Sequence, residues 1–160
     1  MKTLKTLVTL MVGFAVCSAH AGGILCAVDD VLNNSTESTI TWKEQTYTIK
    51  PVETVEKGKG GYTLEGTLQH HTGAGKPHQI AYRVTKEKGA VKKIELQTDG
   101  GMWLPLSPEM TRAMGDFTKS GPIPDTKRNE SFAAMQKVAD TGSWQKMAEL
   151  IIAYVAVRHC

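Results

Sequence analysis

Two hydrophobic rhythms divide the chain. Ile24, Leu25, Val28, Val31 and Leu32 recur at helical spacing, which predicts a short helix over residues 24–33, ended by Asn33-Asn34-Ser35. Over residues 39–106 the rhythm becomes period two, the mark of strands that turn one face to a core. Ile40 to Trp42 and Tyr47 to Ile49 flank a polar Lys43-Glu44-Gln45 corner and read as a hairpin. Residues 52–57 read as another strand, broken by Gly58, Gly60 and Gly61. Tyr62, Leu64, Gly66 and Leu68 alternate with polar residues, as do Ile80, Tyr82 and Val84. A Lys86-Glu87-Lys88-Gly89 turn leads on to Val91, Ile94 and Leu96. Asp99-Gly100-Gly101 closes that segment, and Met102-Trp103-Leu104 adds a last short strand. Consecutive short strands joined by glycine turns predict an antiparallel meander of about four to six strands.

The helical rhythm returns at Ser107. A capping hydroxyl, Pro108 at the first helical position and Glu109 in the first turn begin a helix, and Met110, Ala113, Met114 and Phe117 form its apolar stripe. Ser120-Gly121-Pro122-Ile123-Pro124 stops it. Phe132, Met135, Val138 and Ala139 mark a second helix, with Gly142 beyond its end. Residues 144–157 are apolar almost all round and predict a third helix in the core, although Ile151, Ile152 and Val155 would also suit a strand. Strands followed by helices give an α+β fold with three C-terminal helices packed on the sheet. The expected division is a single domain over 22–160: an N-terminal helix and linker at 22–38, the meander at 39–106 and the helical part at 107–160. A helix followed by an antiparallel meander resembles the cystatin-like fold in outline, which implies an architecture and no activity.

The first residues change the charge picture. Lys2 and Lys5 precede an apolar run over residues 7–16, and Ala19-His20-Ala21 has the small-x-small form that signal peptidases read. Residues 1–21 are therefore expected to be a bacterial signal peptide cleaved after Ala21, placing the mature chain in the periplasm or outside the cell. That leader holds two of the lysines and none of the acids, so the formal net charge of +3 falls to +1. So small an excess argues against a nucleic-acid partner. No later stretch has the apolar length of a membrane span.

What charge there is falls unevenly. Residues 22–49 carry a net of −3, residues 50–93 a net of +5 and residues 94–160 a net of −1. Lys57, Lys59, Lys86 and Lys88 lie at or beside two expected hairpin turns, a candidate positive rim for an acidic protein partner. Lysines at turns and edges also keep strands from aggregating, which is the plainer explanation. His71 and His78 flank the loop of residues 72–77; facing each other across a hairpin, they could share a Zn²⁺ or Cu²⁺ ion, although two ligands fall short of a closed site. Gly73-Ala74-Gly75-Lys76 lacks the first glycine, the hydroxyl and the helix of a phosphate loop, so no cofactor is expected. Once the leader is gone, Cys26 and Cys160 are the remaining cysteines, and an oxidising compartment favours a disulfide between them.

These features favour a small exported, non-enzymatic binding protein, an inhibitor or immunity-type protein that engages an acidic partner through its lysine-rich tips. The alternative is a small hydrolase or metal-dependent enzyme of the cell envelope. No Gly-x-Ser-x-Gly or comparable catalytic pattern is present, and a cluster of histidines with a carboxylate around one pocket would favour the enzyme.

Overall fold

The structure is a computed structural model that describes residues 23–73 and 75–158, with side chains from Ala27 onward. Helix α1 (Gly23–Asn34) leads into seven strands: β1 (Ser38–Trp42), β2 (Gln45–Ile49), β3 (Glu53–Gly58), β4 (Gly61–His71), β5 (His78–Glu87), β6 (Ala90–Thr98) and β7 (Leu104–Pro105). Three helices follow: α2 (Pro108–Met114), continued by a 3₁₀ turn at Gly115–Thr118, then α3 (Asp125–Thr141) and α4 (Trp144–Arg158). The architecture is the expected α+β arrangement, with one strand more than the upper expectation. Residues 1–22, with the expected leader and its cleavage point, lie outside the described residues.

All strand pairings are antiparallel, and the order across the sheet is β1-β2-β4-β5-β6-β7. Strand β3 pairs with β4 as well. Ile49 of β2 lies opposite Leu68, while Glu53 of β3 lies opposite Glu65, so β2 and β3 occupy successive lengths of one edge of β4. Pro51, which has no N–H to give a ladder, stands between them. The β1–β2 hairpin has a two-residue turn at Lys43 and Glu44, both at positive φ (48° and 63°), the twist-matched form for tight hairpins.

One face of the sheet carries the core. Tyr47, Ile49, Leu64, Leu68, Ile80, Tyr82 and Val84 are buried on it, and burying each such side chain contributes about 1.5–3 kcal/mol. Gly66 lies opposite Tyr82, and a Cβ there would overlap the tyrosine ring and hydroxyl. The missing side chain is what admits the ring.

The helices cover that face. Ser107 caps α2 by accepting the Met110 N–H at 3.3 Å, and Met110 and Met114 are fully buried. Helix α3 begins at Asp125, a full two turns before the apolar stripe that signals it, and buries Ser131, Met135 and Ala139. Every residue of α4 over 147–156 is buried, which makes residues 144–157 a core helix and not a strand. Its far end meets α1, where Asp29 accepts a hydrogen bond from Tyr154 Oη at 3.1 Å and pairs with Arg158 Nε at 3.3 Å. Among the described residues no helix is long and apolar enough to cross a membrane.

Candidate functional site

The lysine tips lie at one end of the sheet. Lys88 N–H donates to Gly60 O at 2.9 Å, which ties the β5–β6 turn to the β3–β4 turn and brings Lys57, Lys59 and Lys88 into one region. All three are exposed. Lys86 departs from the expectation: it follows the inward alternation of Ile80, Tyr82 and Val84 and is only 5% exposed, so it cannot belong to a surface rim. Glu56 and Glu87 stand beside the three lysines, which leaves the exposed tips with a small positive excess. Strand β3, next to them, is exposed along its whole length and pairs with β4 alone.

The opposite end of β4 holds a second constellation. His78 lies opposite His70, not His71, while His71 pairs with Thr46 of β2. Neighbouring strand residues point to opposite faces, so His71 and His78 do not face each other and the expected metal pair is not formed. Among the described residues no group of three or more His, Cys, Asp or Glu side chains could hold a metal ion. His70 is buried beside Tyr47, with ring centroids 5.0 Å apart, and its Nε2–H donates to Gln45 Oε1 at 2.6 Å. Its Nδ1 is buried and has no hydrogen-bond partner. Burial first, and then the neighbouring His78 and His71, hold its pKa below the usual 6.5.

Trp144, the first residue of α4, lies flat against both imidazoles, at 4.4 Å from His70 and 4.8 Å from His78 with planes 9° apart in each case. The imidazoles are 5.7 Å from each other, too close for a ring to sit between them, so both lie on the same side of the indole. His78 Nδ1 donates to Asp99 Oδ2 at 2.8 Å, and Asp99 Oδ1 accepts the Gln79 N–H at 3.0 Å. The hydrogen bond from His78, followed by that from Gln79, holds the Asp99 carboxyl below its usual 3.8. Asp99 sits at positive φ (51°) in the turn after β6, and that turn aims its carboxylate back across the sheet end.

Trp144 also lines a groove of about 350 Å³ between α4 and the β6–β7 edge. Ile80, Leu96, Met102, Leu104 and Ala148 supply its apolar wall. Glu149, 6% exposed, accepts the Ser107 N–H at 2.6 Å and pairs with Lys146 at 3.3 Å. Reasoning from sequence missed Trp144, Asp99 and Glu149 as members of one neighbourhood, because α4, which carries Trp144 and Glu149, meets the turn holding Asp99 only through the packing of helix on sheet. The legible signals were the histidines at the mouth of a hairpin and one acid inside an apolar helix. Cys26 lies in α1 without a described side chain, and Cys160 falls outside the described residues, as does any bond between them. No protein-family model, curated protein or solved structure matches this chain.

Proposed function

We propose that the mature chain is a small exported binding protein that engages an acidic protein partner at the lysine end of its sheet. The observation that carries the reading is the joining of the two turns through Lys88 and Gly60, which sets Lys57, Lys59 and Lys88 next to the free edge of β3. A strand paired on one side only offers backbone donors and acceptors to an added strand. The lysines favour a partner with acids in register and speed its capture. A partner recovered from envelope extract by the mature protein should associate about tenfold or more slowly with the K57E/K59E/K88E variant at low salt, with little change at high salt. Unchanged association rates would refute the assignment.

A hydrolytic reading has one specific support. His78 held by Asp99 is the base and orienting acid of a nucleophilic site. The bond to Asp99 supplies the orienting acid, and a nucleophile within reach of His78 is what this reading still requires. An ester or amide hydrolysis that disappears in His78→Ala while the fold is kept would establish it.

A further inference from the structure

We infer that a second groove, between the open edge of β6 and α2, is a binding site for a small amphipathic anion, an apolar chain ending in one carboxylate. Its volume of about 310 Å³ lies at the lower end of the roughly 300–1,000 Å³ typical of small-ligand sites. Lys57, Lys59 and Lys88 do not line it, and β3 is on the far side of β4 and β5, so it stands independently of the protein-binding reading.

The groove exists because β7 is short. That strand pairs with β6 at Glu95 and Leu96, and the chain then leaves for α2. The Leu106 N–H donates to Ile94 O at 3.1 Å and closes one end. Beyond it Thr111 and Met114 of α2 and Thr118 of the 3₁₀ turn stand across from Val91 to Ile94 in place of a further strand. Val91, Ile94, Leu106 and Met114 give the groove an apolar floor, where a short hydrocarbon chain would lose its contact with water.

The charge comes from a β-bulge. Thr85 lies opposite Lys93 and Lys86 opposite Val91, which leaves Lys92 as the extra residue. The alternation is thereby interrupted: Val91 and Ile94 are both buried, and the two lysines between them are both exposed. Both lysines line the groove, and among the described residues no carboxylate does. The acids nearby are already engaged. Glu95 sits between Arg83 at 3.4 Å and Lys93 at 3.5 Å, so it keeps a cation when Lys93 turns to a ligand. Asp116 pairs with Lys119 at 3.7 Å. Among the described residues Lys92 is in no ion pair. The Thr111 and Thr118 hydroxyls donate to Ser107 O and Gly115 O, both at 2.9 Å, so the lysines are the side-chain donors left for a head group. A cationic amphiphile of the same length would meet two like charges and no acid.

Octanoate, octyltrimethylammonium and acetate make the test, titrated separately into the mature protein below any micellar concentration and followed by ¹H–¹⁵N correlation spectra. Octanoate should bind saturably, shift the Ile94, Leu106 and Met114 signals, and bind about tenfold more tightly than the cation, the ratio one charge-assisted contact supplies. Acetate, a head without a chain, should bind about tenfold or more weakly than octanoate, because it leaves the apolar floor uncovered. Lys92→Gln with Lys93→Gln, both on the surface, should erase the preference for octanoate over the cation while the spectrum stays dispersed. The cation binding as tightly as octanoate, acetate binding as tightly as octanoate, no saturable shift at the three floor residues, or indifference to the lysine double variant would each overturn the inference.

Discussion

The imidazole of His70 is stacked beneath the indole of Trp144, 4.4 Å between ring centroids, so the first residue of α4 is seated on a buried, titratable group of β4. Helix and sheet are joined there by a ring whose burial disfavours its charged form. The nearby titratable groups are Tyr47 on β2, His71 on β4, and His78 with its partner Asp99 across β5 and β6. None of them supplies His70 with an anion at hydrogen-bond distance.

That placement fixes a pH dependence. His70 has its folded-state pKa lowered, so the unfolded chain takes up a proton more readily than the folded one. Stability should therefore be full above about pH 6.5, decline as pH falls through the folded pKa, and then level off. Urea melts between pH 7.5 and 5 should show a falling midpoint, and His70→Gln, which keeps a donor for Gln45, should flatten the curve. A midpoint that does not move in the wild-type protein would contradict it.

Asp99 acts in a lower window. Its folded pKa is depressed, so its contribution is present above its usual 3.8 and is lost as pH falls through the folded value. Asp99→Asn should leave the decline due to His70 in place and reduce the loss below pH 4. The check is the same set of melts extended to pH 2.5.

Gly66→Ala tests the seat of the Tyr82 ring. The added methyl overlaps the ring and hydroxyl, and overpacking of this kind costs about 1–3 kcal/mol. Combined with Tyr82→Leu the same substitution should cost markedly less than it does alone, a coupling read directly from a double-mutant cycle.

Glu149→Ala removes the acceptor of the Ser107 N–H and one of the two carboxylates on Lys146. A buried donor left without an acceptor costs about 1–3 kcal/mol. Glu149→Gln, which can still accept that N–H, should recover part of the loss in thermal or urea unfolding.

The proposed Cys26–Cys160 disulfide gains a local argument from the meeting of α1 and α4. Asp29, one turn after Cys26, is bonded to Tyr154 and to Arg158, and Arg158 stands two residues before Cys160. A bond closing so long a loop would stabilise the fold by up to about 5 kcal/mol on the chain-entropy account. Intact mass of the exported protein should correspond to a chain starting at Gly22 and two hydrogens lighter than the reduced form. Two free thiols, or a reducible dimer, would exclude the bond.

The course of the elements was legible because it depends on local alternation. The period-two run through Ile80, Tyr82 and Val84 marks its strand without reference to anything distant, and the same alternation, carried two residues further, would have placed Lys86 inside. The site was not legible, for reasons of register. Whether His70 or His71 meets His78 depends on the conformation of the residues between them, and a shift of one residue exchanges the faces of the sheet. Trp144 reaches the histidines only through the packing of α4 on the sheet, a relation that no spacing in the chain encodes. The 3.6-residue stripe of α3 was visible only in its buried half, since the first two turns are polar and exposed.

Strand β3 has water on both faces and no helix beneath it, so its attachment rests on its hydrogen bonds to β4 with little apolar burial to reinforce them. Segments of that kind open far more often than the core. Amide exchange should therefore be fastest along residues 53–58 and slowest in β4, β5 and α4, leaving the lysine end supple and the histidine end stiff. A partner that adds a strand there would have to bring β3 to rest before binding it. The edge proposed to receive a partner is thus the most yielding backbone of the sheet, and the groove beside Trp144 belongs to its rigid half.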